Sequence, residues 1–533
     1  MPEVSTTSVL SEPPSLSDAK SAAAAAHSVV DRAIAHAKAK DAAAHDDQVT
    51  LYGVSHAAAA VSMMDTALAY AQHGPTEERL AIIFIGRVVA DLAGTLWSQH
   101  ERWGVDAAAL DDVRSFVAAA TDGDYVATAA DDVGPNHLRD DLELVADTFR
   151  RFATDKIAPQ AEHIHREDLD IPLDIIEGVA ELGCFGLSIP EAYGGFAQGG
   201  VDDYMAMVIA TEELSKASLG AGGSLITRPE ILARALEAGG TEEQKQHWLP
   251  KISAGETLCA VAATEPDFGS DVAGLKVSAT PVDGGWMING TKTWCTFAGR
   301  ANALMVLART NPDASVGHRG LSIFIVEKPS DDGHEFRHEV DGGTLVGRAI
   351  PTLGYRGMHS YEVSFDDWFV PAANLIGGDD GLNRGFYLQM AGFENGRIQT
   401  AARAVGVMHR AYELGHEYAE NRSVFGSSLL DYQLTRAKLG LMAAIVQISR
   451  QYSYEVARLM ADGKGTLEAA MAKAFVCKWA EWVTRESLQL HGGMGYAEEF
   501  EISRLFVDAR VLSIFEGADE TLCLKLIARR LLG

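Results

Sequence analysis

The sequence predicts an α+β fold that is mainly helical, with one β-rich region set between helical regions. Long stretches before residue 255 and after residue 381 show helical periodicity. The region between them holds short runs rich in β-branched residues, such as Leu-Ser-Ile-Phe-Ile-Val at 321–326, bounded by turn residues. Since no helix separates these runs, we expect an antiparallel barrel or sandwich, not a βαβ sheet.

Changes in composition divide the chain into five segments. An Asp- and Gly-rich stretch at 121–136 indicates a linker, and Asp283-Gly284 and Asn289-Gly290 are predicted to be tight turns between strands. The predicted segments are a disordered tail (1–20), an Ala-rich helical extension (21–135), a helical domain (136–256), a β domain (257–376) and a C-terminal four-helix domain (377–533).

Length and charge limit the function. The chain has 533 residues and 47% hydrophobic residues, which indicates several globular domains. A net charge of −29 disfavours nucleic-acid binding, because such a surface repels phosphate backbones. No Rossmann or P-loop glycine motif occurs in the sequence.

Other features bear on the cellular compartment. Five scattered cysteines without a CxxC motif indicate reduced thiols, and we expect neither a disulfide framework nor a metal site. The polar N-terminus does not resemble a signal peptide. The most apolar run, at 80–85, is followed by Arg87 and Asp91, so no membrane span is expected. We therefore expect a cytoplasmic protein.

One carboxylate near the C-terminus has the surroundings of a base that removes a proton from carbon. Glu516 lies within Ile-Phe-Glu-Gly-Ala-Asp-Glu-Thr at 514–521. Apolar walls raise the pKa of a carboxylate, and glycine lets a substrate approach the backbone. By itself, a Glu-Gly pair at a helix start is more often a turn or a cap.

Four further segments carry groups suited to a flat or phosphorylated ligand. Residues 264–271 place small hydroxyls beside glycine, and residues 289–296 offer Trp294 for stacking and Thr296 for hydrogen bonding. Arg422, in Arg-Ser-Val-Phe-Gly, can grip a pyrophosphate, which the glycines of 489–496 let backbone amides approach. A cap, a hairpin, a surface arginine and a helix end are the ordinary alternatives.

In this order, the segments resemble the acyl-CoA dehydrogenase family from about residue 137 to the C-terminus. Leu182-Gly183, Pro-Glu-Ala-Tyr-Gly-Gly at 190–195 and Leu-Gly-Tyr-Arg at 353–356 extend the match. The resemblance implies a helical domain, an antiparallel β-barrel domain and a C-terminal helical bundle, here with an extra N-terminal helical module. It also implies FAD as cofactor, with Glu516 removing the α-proton of an acyl-CoA while the β-hydride passes to the flavin.

The resemblance also implies the remaining site residues. Ser270, Glu394, Arg397 and Gly517 fall where the family contacts the acyl-CoA. The FAD contacts implied are Val261, Ala263, Thr264, Gly269, Ser270, Trp294 and Thr296, then Arg422, Val424, Phe425, Gln433, Gln489, Gly492 and Gly493 from the neighbouring subunit, with Ala518 and Glu520 completing the site.

The chain departs from the family pattern at two places. Ala518 replaces the usual threonine two residues after the base, which puts one flavin contact in doubt. Val261, Ala262 and Ala263 stand where an aromatic residue usually precedes Thr-Glu-Pro.

The N-terminal extension and the segment Ser-Leu-Ile-Thr-Arg-Pro-Glu at 224–230 resemble family members that act on a short, branched dicarboxylic acyl-CoA. We therefore hypothesise that Arg228 binds the substrate's free carboxylate. A surface arginine at a helix start is the equal alternative.

Other functions are also compatible with the sequence. The chain could dehydrogenate another short acyl-CoA (glutaryl-, isovaleryl- or butyryl-CoA), pass electrons to oxygen as an oxidase, or be a non-catalytic flavin-binding or DNA-associated member. The resemblance also implies an electron-transferring flavoprotein as electron acceptor. We expect the extension to pack on the core and to leave a homodimer where relatives form tetramers.

Overall fold

The computed structural model describes residues 13–40 and 47–533. Ser15 begins the first helix with a capping box, in which its side chain accepts from the Asp18 backbone N–H while the Asp18 carboxylate accepts from that of Ser15. The predicted tail is therefore wrong for residues 16–20, which are helical, and residues 1–12 lie outside the described part. The helices of the extension are α1 (Leu16–Ala39), α2 (Gln48–Tyr70), α3 (Pro75–Trp103), α4 (Arg114–Ala120) and α5 (Gly123–Ala127).

Small buried residues hold the first three helices together. The inner face of α1 consists largely of alanines, which allow close packing against α2 and α3. By length and composition α3 could cross a membrane, contrary to the expectation from sequence, yet 61% of its most apolar stretch is buried inside the fold. The continuous apolar run is thus accounted for by helix packing on several sides.

The second helical region begins after the linker. Prolines mark the start of two of its helices, with Pro159 in the first turn of α7 and Pro172 capping α8. The helices are α6 (Asp140–Phe152), α7 (Ala158–Arg166), α8 (Leu173–Glu181), α9 (Val201–Ala217), α10 (Thr227–Gly239) and α11 (Glu242–Ser253).

The middle region is a curled eight-stranded sheet. From one edge the order is β5, β4, then β1 and β2 along the same side of β4, then β3, β8, β7 and β6. All pairings are antiparallel except those of β4 with β1 and β2. The strands are β1 (Cys259–Ala262), β2 (Ser278–Val282), β3 (Gly285–Thr296), β4 (Ala303–Arg309), β5 (Leu321–Glu327), β6 (Glu335–Val340), β7 (Gly343–Ile350) and β8 (Ser360–Pro371).

Only one of the two predicted turns is a turn. Asp283-Gly284 joins β2 to β3 as a two-residue hairpin, with Gly284 at φ +79°. Asn289-Gly290 instead lies inside β3, at a shift of register against β8. The Asn289 amide exchanges two hydrogen bonds with Asp367 of β8 (3.0 and 2.8 Å), which keeps both segments in the sheet.

The C-terminal region is built on three long helices, followed by one of 12 residues. The longest, α13, packs against α9, α10, α14 and α15 and so connects two helical regions. The elements are α12 (Gly378–Gly381), α13 (Gly385–Asn421), β9 (Ser423–Val424), β10 (Ser427–Ser428), α14 (Gln433–Ala461), α15 (Thr466–His491), α16 (Glu501–Leu512), α17 (Asp519–Thr521) and α18 (Ala528–Leu532).

The extension packs on this C-terminal bundle, as expected. Helices α2 and α3 lie against α14, and α2 also contacts α15. Ser62 of α2 shares a hydrogen bond with the Tyr452 hydroxyl of α14 (3.0 Å), and Arg436 of α14 grips Asp131 of the linker through two nitrogens. The five cysteines are free and buried.

Candidate active site

The site centres on a tight turn after α16. Glu516 and Gly517 both adopt left-handed backbone conformations, with φ +54° and +101°. Such a conformation costs a non-glycine residue about 1–2 kcal/mol and is typical of functional sites. The turn directs the Glu516 side chain inward, where 2% of it is exposed. Within the described residues, the Glu516 backbone N–H has no hydrogen-bond partner and is free to bind a ligand.

Arg228 holds the Glu516 carboxylate. It lies in the first turn of α10 and donates from Nη1 to Glu516 Oε1 at 2.7 Å, with 8% of its side chain exposed. The other carboxylate oxygen, Oε2, is buried and has no partner in the described part of the chain. A side-chain carbon at Gly396 of α13 would come within 3.0 Å of that oxygen, so glycine leaves the space beside it open.

The pKa of Glu516 is lowered, contrary to the expectation of a base with raised pKa. Burial alone raises it and is the largest single effect. The charge of Arg228, the charge of Arg403, the hydrogen bond from Arg228 and the charge of Lys473 together outweigh burial. The apolar neighbours of Glu516 could be identified from the sequence, but these cations could not, because they lie on three other helices.

Arg403 is the second cation beside the turn. It is fully buried on α13, where its Nη1 donates to the Ser224 hydroxyl (3.2 Å) and its Nη2 to the Thr400 hydroxyl (2.6 Å). Its guanidinium lies 4.7 Å from the ring centre of Phe515, and burial lowers its pKa. Sequence analysis missed Arg403, although it falls seven residues after Gly396 on the same helical face.

Lys473 and Tyr355 complete the surroundings of the base. Lys473 of α15 is buried and donates to the carbonyl of Gly517 at 2.5 Å, which fixes the turn from the other side. Tyr355 packs edge-on against Phe515, at 5.4 Å between ring centres. Its motif was recognised from sequence, but no role was assigned to it.

Positive charge exceeds negative charge around the turn. Arg397 on α13 is 7% exposed and interacts electrostatically with Glu516. Glu394, which is half-buried, interacts with Arg397 in the same way. Three guanidinium groups, which stay protonated in proteins, thus face two carboxylates. Buried polar atoms without a partner in the described residues concentrate here: Arg228 Nε, Tyr355 Oη, Arg397 Nε, Arg403 Nε and Glu516 Oε2. Since buried polar groups are normally hydrogen-bonded, the four donors among these atoms fit a bound anionic group.

The loop after β1 reaches this turn. Ser270 accepts a hydrogen bond from Thr521 of α17 (2.9 Å), five residues beyond Glu516. The loop is anchored by Glu265, whose buried carboxylate accepts from the backbone of Lys276 and Val277 and from Lys292 Nζ (2.7, 2.8 and 2.9 Å). The Glu of the Thr-Glu-Pro segment is therefore a structural anchor, a role not assigned from sequence.

The residues expected to line the flavin lie in β1, in this loop and at the end of β3. Val261 is buried in β1, the Ala263 carbonyl accepts from Lys292 Nζ (2.9 Å), and the Thr264 carbonyl accepts from the Thr293 N–H (2.8 Å). Trp294 lies at a register shift of β3 with φ +57°, and the residue is 54% exposed.

The same residues fit FAD. An exposed flat indole beside a loop is a stacking surface, and Thr296 places a hydroxyl two residues on, shared with Ser360 (2.9 Å). Gly269 has only the Thr264 methyl group near its missing side chain (3.8 Å), so its backbone can be approached closely.

The second set of expected FAD contacts lies at another end of the bundle. The ring of Tyr418 stacks on His491 at 4.2 Å, which brings the ends of α13 and α15 together. Phe425 is completely exposed with φ +49°. The surrounding members of this set are open to solvent or half-buried: Arg422, Val424, Gln489, Gly492 and Gly493.

Gln433 is engaged differently. Its amide donates to the Asp124 carboxylate of the extension at 2.5 Å. In the described part of the chain, no hydrogen bond or ion pair joins this second set to the Glu516 turn within one subunit. Ala518 is half-buried and Glu520 exposed, directly after the turn.

Comparisons with known proteins agree with this architecture. The chain matches the family models "Acyl-CoA dehydrogenase, N-terminal domain" over residues 139–256, "middle domain" over 260–368 and "C-terminal domain" over 383–532. It is 44% identical over 401 residues to (2S)-methylsuccinyl-CoA dehydrogenase from Cereibacter sphaeroides, covering 75% of this chain and 71% of that protein.

Solved structures of related enzymes share the fold. Butyryl-CoA dehydrogenase from Megasphaera elsdenii superposes with a TM-score of 0.68 at 30% identity, covering 75% of this chain and all of that one. The glutaryl-coenzyme A dehydrogenase in complex with glutaryl-CoA gives a TM-score of 0.66 at 28% identity, over 74% of this chain and 96% of that one.

Proposed function

Since the chain belongs to the acyl-CoA dehydrogenase family, whose members are FAD-dependent oxidoreductases acting on the CH–CH bond of acyl-CoA, we propose that it oxidises (2S)-methylsuccinyl-CoA to mesaconyl-CoA. One observation supports the choice of this substrate. A buried guanidinium, Arg228, lies 2.7 Å from the carboxylate of Glu516, among further buried arginines.

Glu516 is the base of this reaction. Its carboxylate takes the proton from the α-carbon, and FAD, when bound, would supply the acceptor for the hydride that leaves the β-carbon. The Glu516 backbone N–H, which has no partner in the described residues, would donate to the thioester oxygen, where negative charge develops. Burial of the Glu516 side chain keeps water from the carboxylate, and Ser270, Glu394, Arg397 and Gly517 would contact the acyl-CoA.

Arg228 selects a short dicarboxylic acyl group. In methylsuccinyl-CoA the free carboxylate is attached to the β-carbon, so a cation that binds it must lie next to the base. Arg228 meets that condition, and Arg397 and Arg403 supply further positive charge. Glutaryl-CoA places its carboxylate one carbon further away, and isovaleryl- and butyryl-CoA would leave these cations without a partner.

Substrate binding also prepares the base. When the substrate carboxylate takes over Arg228, the charge of Arg228 is neutralised and its hydrogen bond to Glu516 is lost, so the pKa of Glu516 rises from its substrate-free value, while Arg403 and Lys473 still lower it. The base becomes a stronger proton acceptor only in the presence of the dicarboxylic substrate.

An anaerobic flavin-bleaching screen tests the proposal. The FAD-loaded enzyme is mixed with methylsuccinyl-, glutaryl-, succinyl-, isovaleryl- and butyryl-CoA, and loss of the flavin absorbance is followed. We expect methylsuccinyl-CoA to bleach the flavin fastest. Faster bleaching by glutaryl-CoA or by a monocarboxylic ester would assign that substrate instead, and no bleaching by any ester would favour a non-catalytic member.

We propose a homodimer in which Arg422, Val424, Phe425, Gln433, Gln489, Gly492 and Gly493 contact FAD held by the neighbouring subunit. The exposed Phe425 and the open glycines support this, because one subunit leaves them uncovered. The extension covers α14 and α15, which leaves less of the bundle for a second dimer. Native mass spectrometry should give two chain masses, and four would contradict the dimer.

We further propose that an electron-transferring flavoprotein would reoxidise the FAD-loaded enzyme, and that the reaction belongs to the ethylmalonyl-CoA pathway of acetate assimilation. Steady-state turnover should require that protein. Equal turnover with oxygen alone would indicate an oxidase.

A further inference from the structure

One face of helix α2 contacts the segment that follows the base. Tyr52, Ser55 and His56 are spaced three and four residues apart and therefore share that face. The Tyr52 hydroxyl donates to Asp519 Oδ2 at 2.5 Å, and His56 Nε2 lies 3.0 Å from the same oxygen. The Ser55 hydroxyl donates to the carbonyl of Cys523 at 3.0 Å.

Asp519 closes the loop that carries Glu516. Its backbone N–H donates to the carbonyl of Ser513 at 3.2 Å, so residues 513–519 form a closed loop with Glu516 at its centre. Asp519 is 7% exposed. Burial raises the pKa of its carboxyl most strongly, but the contacts with His56 and Tyr52 outweigh burial and lower it.

This loop needs support from outside. It contains two consecutive left-handed residues, and strained backbone persists only where the surroundings hold it in place. Lys473 supports one side through the Gly517 carbonyl. Tyr52 and His56 support the other side, and Lys478 in turn donates to the Tyr52 hydroxyl at 3.3 Å.

We propose that Tyr52 and His56 are positioning residues for the base: by holding Asp519, the N-terminal extension sets the place of the Glu516 carboxylate against the substrate. The inference rests on the role of Glu516 in the proposed function. It gives the extension a part in catalysis beyond covering the bundle. A displacement of about 1 Å in a catalytic group can cost about 100-fold in rate.

The test variant is Tyr52→Phe combined with His56→Phe, which removes both donors and keeps aromatic rings in place. Ser62→Ala is the matched control, because it removes a hydrogen bond between the same helix and α14, away from the base. His56→Gln is the conservative variant, since its amide can still donate to Asp519.

The rate of flavin reduction is measured at saturating acyl-CoA, per bound FAD, with α-protiated and α-deuterated substrate. The ester is whichever one bleaches the wild-type flavin fastest, so the test does not depend on methylsuccinyl-CoA being that substrate. We expect the double variant to reduce its flavin about tenfold more slowly or worse, with an increased isotope effect. Ser62→Ala and His56→Gln should stay within about twofold of wild type.

Two results would overturn the inference. One is flavin reduction at the wild-type rate in the double variant. The other is a loss of the flavin-reduction rate that Ser62→Ala shows as well, that correlates with FAD content and Tm, and that leaves the isotope effect unchanged. If the wild type is not bleached by any ester, the proposed function itself has failed.

Discussion

Replacing Arg228 by methionine separates the role that is observed for this residue from the role that is proposed for it. Methionine is a flexible apolar side chain that can fill the site without charge. In the substrate-free enzyme Arg228 holds Glu516 at 2.7 Å, and with substrate it is proposed to bind the free carboxylate. Turnover of an acyl-CoA with a neutral acyl group requires only that Arg228 does not hold Glu516. Turnover of methylsuccinyl-CoA also requires that Arg228 binds the free carboxylate of the substrate.

The size of the effect follows from the burial of the pair. Removing one partner of a buried, hydrogen-bonded charge pair costs about 2–5 kcal/mol, or roughly 30- to 5,000-fold. Arg397 and Arg403 remain and can take part of the charge, so we expect a loss near the lower limit. The ratio of kcat/KM for methylsuccinyl-CoA over butyryl-CoA should therefore fall about 30-fold.

Replacing Arg228 should also change the pH dependence of the reaction, separately from any loss of activity. Arg228 lowers the pKa of Glu516 by its charge and hydrogen bond. Without it that pKa rises, and since the base must be ionised, the acid limb of the butyryl-CoA pH–rate profile should move to higher pH.

Stopped-flow flavin reduction over a range of substrate concentrations and pH measures both quantities. Arg234→Met is the control, because Arg234 lies on the same helix and is partly buried but pairs with Glu237 (3.2 Å). A ratio changed less than threefold in Arg228→Met, or changed equally in Arg234→Met, would refute the assignment of Arg228 as selector.

Two further predictions concern the structural anchors. Glu265→Ala removes the buried partner of Lys292 (2.9 Å), so we expect about 3–5 kcal/mol of destabilisation and loss of FAD on dilution. Denaturant unfolding measures the first effect and flavin fluorescence the second. Unchanged values would contradict the anchoring role of Glu265. Burial lowers the pKa of His359, but Asp170 and Asp168 outweigh burial and raise this pKa above 6.5. The stability that His359 gains from these carboxylates is therefore present below pH 6.5 and is lost as the pH rises through the raised pKa. His359→Gln should lower Tm more at pH 6 than at pH 9, and an equal drop at both pH values would contradict this prediction.

Local signals in the sequence were enough for the order of helices and strands. Periodicity and turn residues located the three regions from Asp140 onward, because these signals lie within a few residues of each other. They failed where a distant partner decides the structure. Asn289-Gly290 has the composition of a turn but stays in the sheet because Asp367, far along the chain, bonds the Asn289 side chain.

The same limit applies to the site. Glu516 and Arg228 could each be named from sequence, but their pairing joins residues 288 positions apart and appeared only in the structure. The expected rise in the pKa of Glu516 was wrong for that reason. Gln433 likewise meets Asp124 of the extension, a contact that no motif indicates.

Glu516→Gln tests the central claim most directly. The glutamine oxygen can still accept from Arg228, so FAD and methylsuccinyl-CoA binding should stay close to wild type while anaerobic flavin reduction slows at least about 100-fold. Reduction within tenfold of the wild-type rate would show that the base is another residue.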